Sequence, residues 1–395
     1  MPSVFTLNKL FKSFCESYRE TNGPVLDKKG KEKSPISWGK FHDYWSKQYS
    51  CIKVLKKKTD FCEYCCKEQE KLKNSSSNEE EREIIQANLD MHLKEAKDAR
   101  AAYTDHRRIT ALEDGKIVIS MDYAECLMVP QLQNTPSTFY FKTRRKIDIF
   151  GISNERETEN GSIQLNFLID ECFKIKKGPN TVITMLDYYI HNYIQEGKHL
   201  ILYADNCPAH NKNQFLIGYL TFMVKIKKFL ASAELYFLIV GHTKFTPDSH
   251  FGTLKKEFKK NNCFSIKDLL GKNGIVESSA VNNKVIPYKD PESGLQNFQW
   301  RNWKNFLEKR FRNCPGISSW HVIKIHQDGS TIQVSPSINK PLEDFTIFNK
   351  DFINDSLEEP EVLIPEGLSL QREMELQYFE QFVEDNHKKY VSTTY

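Results

Sequence analysis

Apolar residues recur at helical intervals near the start of the chain. Leu7, Leu10, Phe11, Phe14 and Tyr18 form one stripe until Asn22-Gly23-Pro24 interrupts it. Ser37 is placed to cap a second helix whose face carries Trp38, Phe41, Tyr44 and Trp45. Two short helices of this kind fit half of a helix-turn-helix and fit equally a cap over the next module. Residues 64–108 predict a helical hairpin that turns at Ser75-Ser76-Ser77-Asn78. Its second helix repeats Ile85, Leu89, His92, Ala96, Ala99, Tyr103 and His106 at steps of four and three, the spacing of a packed seam.

From Lys116 the period changes. Residues 116–124 alternate as a strand does, and 137–142, 146–153 and 162–170 are strand-like. A helix is predicted from Gly178-Pro179-Asn180, with Val182, Met185, Leu186, Tyr189, Ile190 and Tyr193 on one face and Gly197 at its end. Residues 199–205 and 234–240 read as short buried strands, separated by a helix from Asn211 to about Lys225. A further helix runs from Asp248 to about Lys260. Beyond it the pattern predicts helices over Phe264 to Gly274 and Trp300 to Phe311, the aromatics of the latter assigned to the core. A β-hairpin is expected about Asp328-Gly329, and a last helix around Leu370 to Val383.

Three strands that can pair antiparallel, then alternating helices and strands, imply a mixed five-stranded sheet with helices on its faces. That order resembles the ribonuclease H-like fold. The expected class is therefore α/β: a ribonuclease H-like core preceded by a helical module that is a candidate for binding zinc. The expected segments are a helical module at 1–60, a hairpin at 61–110, a catalytic-type core at 111–263, a C-terminal extension at 264–341 and an acidic tail at 342–395.

Composition narrows the function classes. With 395 residues, 39% hydrophobic and 27% charged, the chain has the balance of a soluble globular protein. No apolar run approaches the roughly 20 residues of a membrane helix. The first residues lack the pattern of an export signal, so nucleus or cytoplasm is the expected location. The net charge of +4 conceals a split: from Leu342 onward there are 13 acids and 4 bases, leaving +13 on residues 1–341. A basic body with an acidic tail points to nucleic acid, with ordinary solvated surface as the bland alternative. The ten cysteines are scattered except for Cys62, Cys65 and Cys66, a cluster that reads as metal or redox chemistry.

Three acids fall at informative places. Asp122 lies in the first strand, Asp205 ends the fourth, and Asp248 opens the helix after the fifth, where it would also serve as an N-cap. Converging carboxylates repel unless cations lie between them, and Mg2+ or Mn2+ suits an all-oxygen site. Two such ions about 3.5–4 Å apart would serve phosphodiester transfer. His210, and the pair His242 and Thr243, lie near the acids and are assigned structural roles.

The blocks around Asp122 (118–155), Asp205 (202–215) and Asp248 (240–258) are similar to an uncharacterised transposase-like domain multiplied in invertebrate, fungal and protist genomes. The resemblance covers roughly residues 50–335. It implies a DDE/DDD transposase fold with Asp122, Asp205 and Asp248 as metal ligands. This chain departs from the family in having Pro208-Ala209-His210 in the second block.

Folding the hairpin back about residues 76–77 places Cys62 opposite about residue 91, so Cys62, Cys65 and His92 form a candidate Zn2+ site. Cys66, Cys51 and His42 are candidates for the fourth ligand, and an inert seam is the alternative. The candidate DNA-binding residues are Arg144, Arg145 and Lys146, with Lys255, Lys256, Lys259 and Lys260 on the helix after the fifth strand. Lys56-Lys57-Lys58 and Lys309-Arg310 are further basic clusters. The leading expectation is a transposase-derived protein that cleaves and joins DNA, self-association being open. Its rivals are a catalytically silent DNA-binding or scaffold protein and a nuclease without transfer activity.

Overall fold

The computed structural model describes residues 7–49, 52, 61–74, 79–113, 115–158, 161–280, 282–349 and 358–395. The chain divides into two units, Met1–Glu63 and Tyr64–Tyr395. In the first, helices α1 (Leu7–Asn22) and α2 (Trp38–Gln48) flank a short antiparallel hairpin of Val25–Leu26 and Glu32–Lys33. Ser37 caps α2, its side chain accepting the Lys40 N–H. Phe11 packs against Trp38 and Phe41 at ring-centroid distances of 5.4 and 5.2 Å. Neither helix has a buried residue. Lys56-Lys57-Lys58 and Cys51 lie outside the described residues.

Helix α3 (Glu63–Asn74) begins at the division, and α4 (Glu79–Leu112) follows it; the expected turn between them lies outside the described residues. The sheet is assembled from β1 (Lys116–Tyr123), β2 (Arg145–Thr158), β3 (Gly161–Asp170), β4 (His199–Ala204) and β5 (Ser232–Phe237). Helices α5 (Pro179–Tyr193) and α6 (Gln214–Thr221) form the crossovers, and α7 (Thr246–Lys260) follows β5. Strand β6 (Asn283–Pro287) and the strands β7 (Val322–His326), β8 (Thr331–Ser335) and β9 (Glu343–Thr346) extend the two edges. The spatial order is β9-β8-β7-β5-β4-β1-β2-β3-β6, with Leu127–Val129 added beside β2. β1, β2 and β3 pair antiparallel, whereas β1, β4 and β5 pair parallel. The chain is thus α/β, with one large mixed sheet and flanking helices.

Alternation along the strands divides the core into layers. Ile119 and Met121 of β1, Phe150 and Ile152 of β2, and Leu200 and Leu202 of β4 join α5 and α6 in one cluster. Val118, Ile201 and Tyr203 face the other way, with Tyr103 of α4. Ile147 and Ile149 of β2 meet Phe251, Leu254 and Phe258 of α7. Two-residue periodicity of this kind is what lets one sheet carry helices on both faces. Trp300, Trp303 and Phe306 are buried in the first of these layers. Among the described residues no helix is long and apolar enough to cross a membrane.

Several local expectations fail for identifiable reasons. Residues 137–142 form a 3-10 turn, Ser137–Phe141, in which Tyr140 and Phe141 are exposed and only Phe139 is buried, against Phe379 and Phe382. Phe264 to Gly274 holds a 3-10 turn at Ile266–Leu269, and α8 (Ile275–Ser279) starts beyond it. Gly271, at φ 78°, breaks the run between them. Trp300–Arg301 is extended and pairs with Val362–Leu363, so α9 is only Trp303–Glu308. The last helix stops at Gln377 as α10 (Leu370–Gln377), and α11 (Asp385–Ser392) forms after a 3-10 turn.

The acidic C-terminal segment is tied to the sheet by two arginines, one through an ion pair and one through hydrogen bonds to backbone carbonyls. Arg372 of α10 grips Glu171, Nε to Oε1 at 2.7 Å and Nη2 to Oε2 at 3.1 Å. Arg145 is fully buried, its Nε donating to Asp170 Oδ1 at 2.7 Å; its Nη2 lies equally near but off-line for a hydrogen bond. Its Nη1 donates to the carbonyls of Val391 and Thr393. Arg145 therefore cannot contact DNA from this position; it is a structural cation joining β2, β3 and α11. Removing it would strand Asp170 in the core. We expect Arg145→Ala to lose about 3–5 kcal/mol of stability in urea unfolding; a loss under 1 kcal/mol would show that the pair is dispensable.

Candidate functional site

The site is built on the two central strands. β1 and β4 run parallel, with Ser120 opposite Tyr203. Continuing that register places Asp122 level with Asp205, the residue after β4. Asp205 is held where the strand opens into a loop: its Oδ1 accepts the Cys207 N–H at 3.1 Å and Asn211 Nδ2 at 2.6 Å. Asp122 Oδ1 accepts the N–H of Tyr123 at 2.8 Å.

Asp248 arrives on α7, which begins two residues earlier than expected, at Thr246. The acid is therefore the third residue of the helix and not its N-cap, and its Oδ2 accepts the Phe245 N–H at 3.1 Å. The start of α7 lies close to the sheet because β2 has a glycine there. Gly151 is paired with Asp122, and a Cβ on it would lie 2.7 Å from a ring carbon of Phe251. A glycine inside a strand is a sequence sign of such close approach, and the sequence reading did not use it.

The structure brings the three aspartates into electrostatic contact. Burial, and then the charges of Asp205 and Asp248, push the Asp122 carboxyl up to about 7. Among the described residues no lysine or arginine forms an ion pair with Asp122 or Asp205. Three oxygen donors with mutual repulsion, Asp248 being exposed to solvent, fit a hard divalent cation. Next to them Lys212 is buried, its ammonium pushed down to about 8 by that burial and bonded to Asn206 Oδ1 at 3.0 Å. His210 touches the Tyr123 ring and Cys207 Sγ.

A second carboxylate network sets the position of α7. Glu155 of β2 is fully buried. It accepts from Tyr103 at 2.8 Å, from Thr246 Oγ1 at 2.7 Å and from Ser120, and Arg107 Nε lies 3.1 Å away. Ser120 precedes Asp122 by two residues on the same strand face, and Thr246 precedes Asp248 by two at the start of the helix. Glu155 thus holds both supports of the acidic group and is another residue that sequence reasoning missed.

The cysteine cluster behaves differently from expectation in its fourth member. Cys65 on α3 and His92 on α4 come together with His242, from the loop between β5 and α7. Cys62, just before α3, completes a group whose donor atoms all lie within 4.8 Å. Cys65 Sγ is 3.5 Å and His92 Nε2 is 3.2 Å from His242 Nε2. Tetrahedral zinc with Zn–N near 2.0–2.1 Å and Zn–S near 2.3 Å would separate such donors by about 3.3–3.6 Å, so the donor set fits. Burial and the neighbouring His242 hold His92 below the usual histidine range. His242, assigned a structural role from sequence, is the fourth donor among the described residues: Cys66 is exposed, neither it nor His42 belongs to the group, and Cys51 lies outside the described residues. No local spacing could reveal a partner 150 residues from His92.

The candidate DNA contacts divide. Arg144 donates through Nη1 to Met128 O, Pro130 O and Gln131 Oε1, committing its guanidinium to the chain. Lys146 is half-buried. Lys255 pairs with Glu125 at 3.0 Å, while Lys256, Lys259 and Lys260 are exposed. Asp248, Lys255 and Lys259 share one stripe of α7 at steps of seven and four. Arg310 is buried, stacked 3.7 Å from the Phe306 ring centre, so the Lys309-Arg310 cluster is not a free basic patch.

A family model described as a domain of unknown function, DUF7869, matches residues 146–338. The match includes Asp205, His242 and Asp248 and begins after Asp122, Cys62, Cys65 and His92. No curated protein and no solved structure matches the chain.

The raised carboxyl of Asp122 has a consequence for stability. Its proton is held more tightly folded than unfolded, so this contribution is complete below the ordinary value near 4 and is lost as pH rises through about 7. In EDTA, Tm should therefore fall more steeply from pH 5 to 8 in the parent protein than in Asp122→Asn. Parallel curves would show that Asp122 ionises normally.

Proposed function

We propose that this chain is a transposase-derived enzyme with a ribonuclease H-like core that cleaves and rejoins DNA strands using a divalent cation. The observation that carries the reading is the arrangement of the acids: Asp122 and Asp205 level on adjacent central strands, with Asp248 in the first turn of α7. The strand order β3-β2-β1-β4-β5, antiparallel and then parallel, supports the fold assignment, and the resemblance of the three acidic blocks supports the lineage.

Asp122, Asp205 and Asp248 would hold Mg2+ or Mn2+, two ions in the full site. Bound there, the cations supply activation of the attacking oxygen and stabilisation of the leaving one. The chain does the rest by positioning. Cys207 N–H and Asn211 fix one Asp205 oxygen, and Phe245 N–H fixes one Asp248 oxygen, so both acids are restrained in position. The exposed Lys256, Lys259 and Lys260 would lie along the phosphate backbone.

Zinc would be held by Cys62, Cys65, His92 and His242, bracing α3 and α4 against the loop that leads into α7. Its role there is structural, since all four positions belong to protein donors.

Purified protein with Mg2+ or Mn2+ should nick labelled DNA. Asp205→Asn should lower the rate by roughly two to three orders of magnitude, the scale of losing one stabiliser of transition-state charge. Equal rates in both proteins would overturn the assignment. Binding without cleavage in both would favour the silent DNA-binding protein.

Metal analysis should find about one zinc per chain, sharply reduced in His242→Ala and Cys65→Ser and retained in Cys66→Ser. Zinc unaffected by His242→Ala would remove that residue from the site.

A further inference from the structure

A cleft of about 490 Å3 opens between α4 and the start of α7. Among the described residues Arg100, Arg107 and Lys244 line it, together with the Ser249 hydroxyl, and no acidic side chain does. Among the described residues neither Arg100 nor Lys244 is ion-paired. Arg107 is held at 3.1 Å by Glu155, which lies beneath the cleft and also orients two groups of its floor, the Tyr103 hydroxyl and Thr246 Oγ1. The Arg100 and Arg107 guanidinium carbons each lie 5.7 Å from the Tyr103 ring centre. Three cations above one buried carboxylate leave the described lining net positive.

The cleft is separate from the three aspartates. Thr246, Ser249, His250 and Thr253 recur at three- and four-residue steps and form the face of α7 that lines it. Asp248, Lys255 and Lys259 fall on a different stripe of the same helix.

We propose that this cleft binds phosphate groups, a site for phosphate esters on the side of α7 away from the candidate cleavage centre. Planar guanidinium groups match phosphate oxygens in pairs, and the Ser249 hydroxyl is a further donor at the cleft. The volume admits a group larger than inorganic phosphate, so the phosphate comes from a nucleotide or from a nucleic-acid backbone. Only the second source rests on the proposed function; the site itself does not require cleavage.

The test uses full-length Asp205→Asn protein in EDTA, so that loss of cleavage cannot affect the result. Arg100→Glu/Lys244→Glu is compared with it, and the milder Arg100→Gln/Lys244→Gln guards against misfolding. Both changes lie on half-exposed or exposed side chains, and equal melting curves confirm the fold. In the first arm, fluorescence anisotropy follows a labelled single strand and a duplex over a range of salt. The parent's plot of log affinity against log salt should be steeper by about two counterions on duplex than that of the glutamate pair. In the second arm, calorimetry with pyrophosphate and with ATP should show binding to the parent and at least a tenfold loss in the variants. A difference confined to the first arm assigns the site to a nucleic-acid strand, and one confined to the second assigns it to a nucleotide. Identical salt slopes together with no variant-sensitive binding of pyrophosphate or ATP overturn the proposal. If the phosphate site is present but the protein with Asp205 intact never cleaves DNA with Mg2+ or Mn2+, the proposed function falls and the phosphate site stands.

Discussion

Glu155 is out of contact with solvent, and a carboxylate in that position is tolerated only when its charge is matched and its oxygens are hydrogen-bonded. Four side chains meet that demand, and they come from three elements: Tyr103 and Arg107 from α4, Ser120 from β1 and Thr246 from α7. Because these partners must converge on two oxygens, the demand fixes where α4 and α7 stand over the sheet. Tyr103 also accepts the Thr246 backbone N–H, at 3.3 Å, so the junction is cross-linked and not merely shared. Gly151 contributes by omission, letting Phe251 pack where any side chain on β2 would intrude.

The remaining geometry follows from that junction. Helix α4 carries His92 and, fifteen residues further on, Arg107, a separation of about 22 Å along the axis. The loop from β5 into α7 touches both ends of this span: His242 reaches Cys65 and His92, and Thr246 reaches Tyr103 and Glu155. Asp248 stands two residues beyond the second anchor. The proposed zinc site, the phosphate cleft and the three aspartates therefore share one loop and one helix start. A change at any of them is expected to be felt by the others through backbone position, not through direct contact.

Much of the frame was legible along the chain. Strands β1, β2, β3, β4 and β5 occur where alternation or a short apolar run placed them, because burial on one face or both leaves that trace in neighbouring residues. Trp300, Trp303 and Phe306 are core, as their spacing suggested, although Trp300 turned out to be extended and not helical. Residues 137–142 misled because alternation there reflects exposed aromatics beside a single buried Phe139. Arg144 and Arg145 misled in another way. A run of bases reads as solvated surface, but one of them lies in the core opposite Asp170, and nothing in adjacent residues reports a partner 25 positions away.

The candidate site divides along the same line. The sequence by itself determined that Asp122, Asp205 and Asp248 sit at the end of one strand, just beyond another, and at the start of a helix. Those positions depend on local periodicity and on strand order, both of which are written in short stretches of residues. Only the tertiary structure decided that His242 joins Cys65 and His92, that Arg145 is enclosed, and that Glu155 ties the helix start to the strand bearing Asp122. These are consequences of which charges and donors are removed from water together. That depends on packing between segments up to 177 residues apart, as for Cys65 and His242, and leaves no periodic trace in either segment.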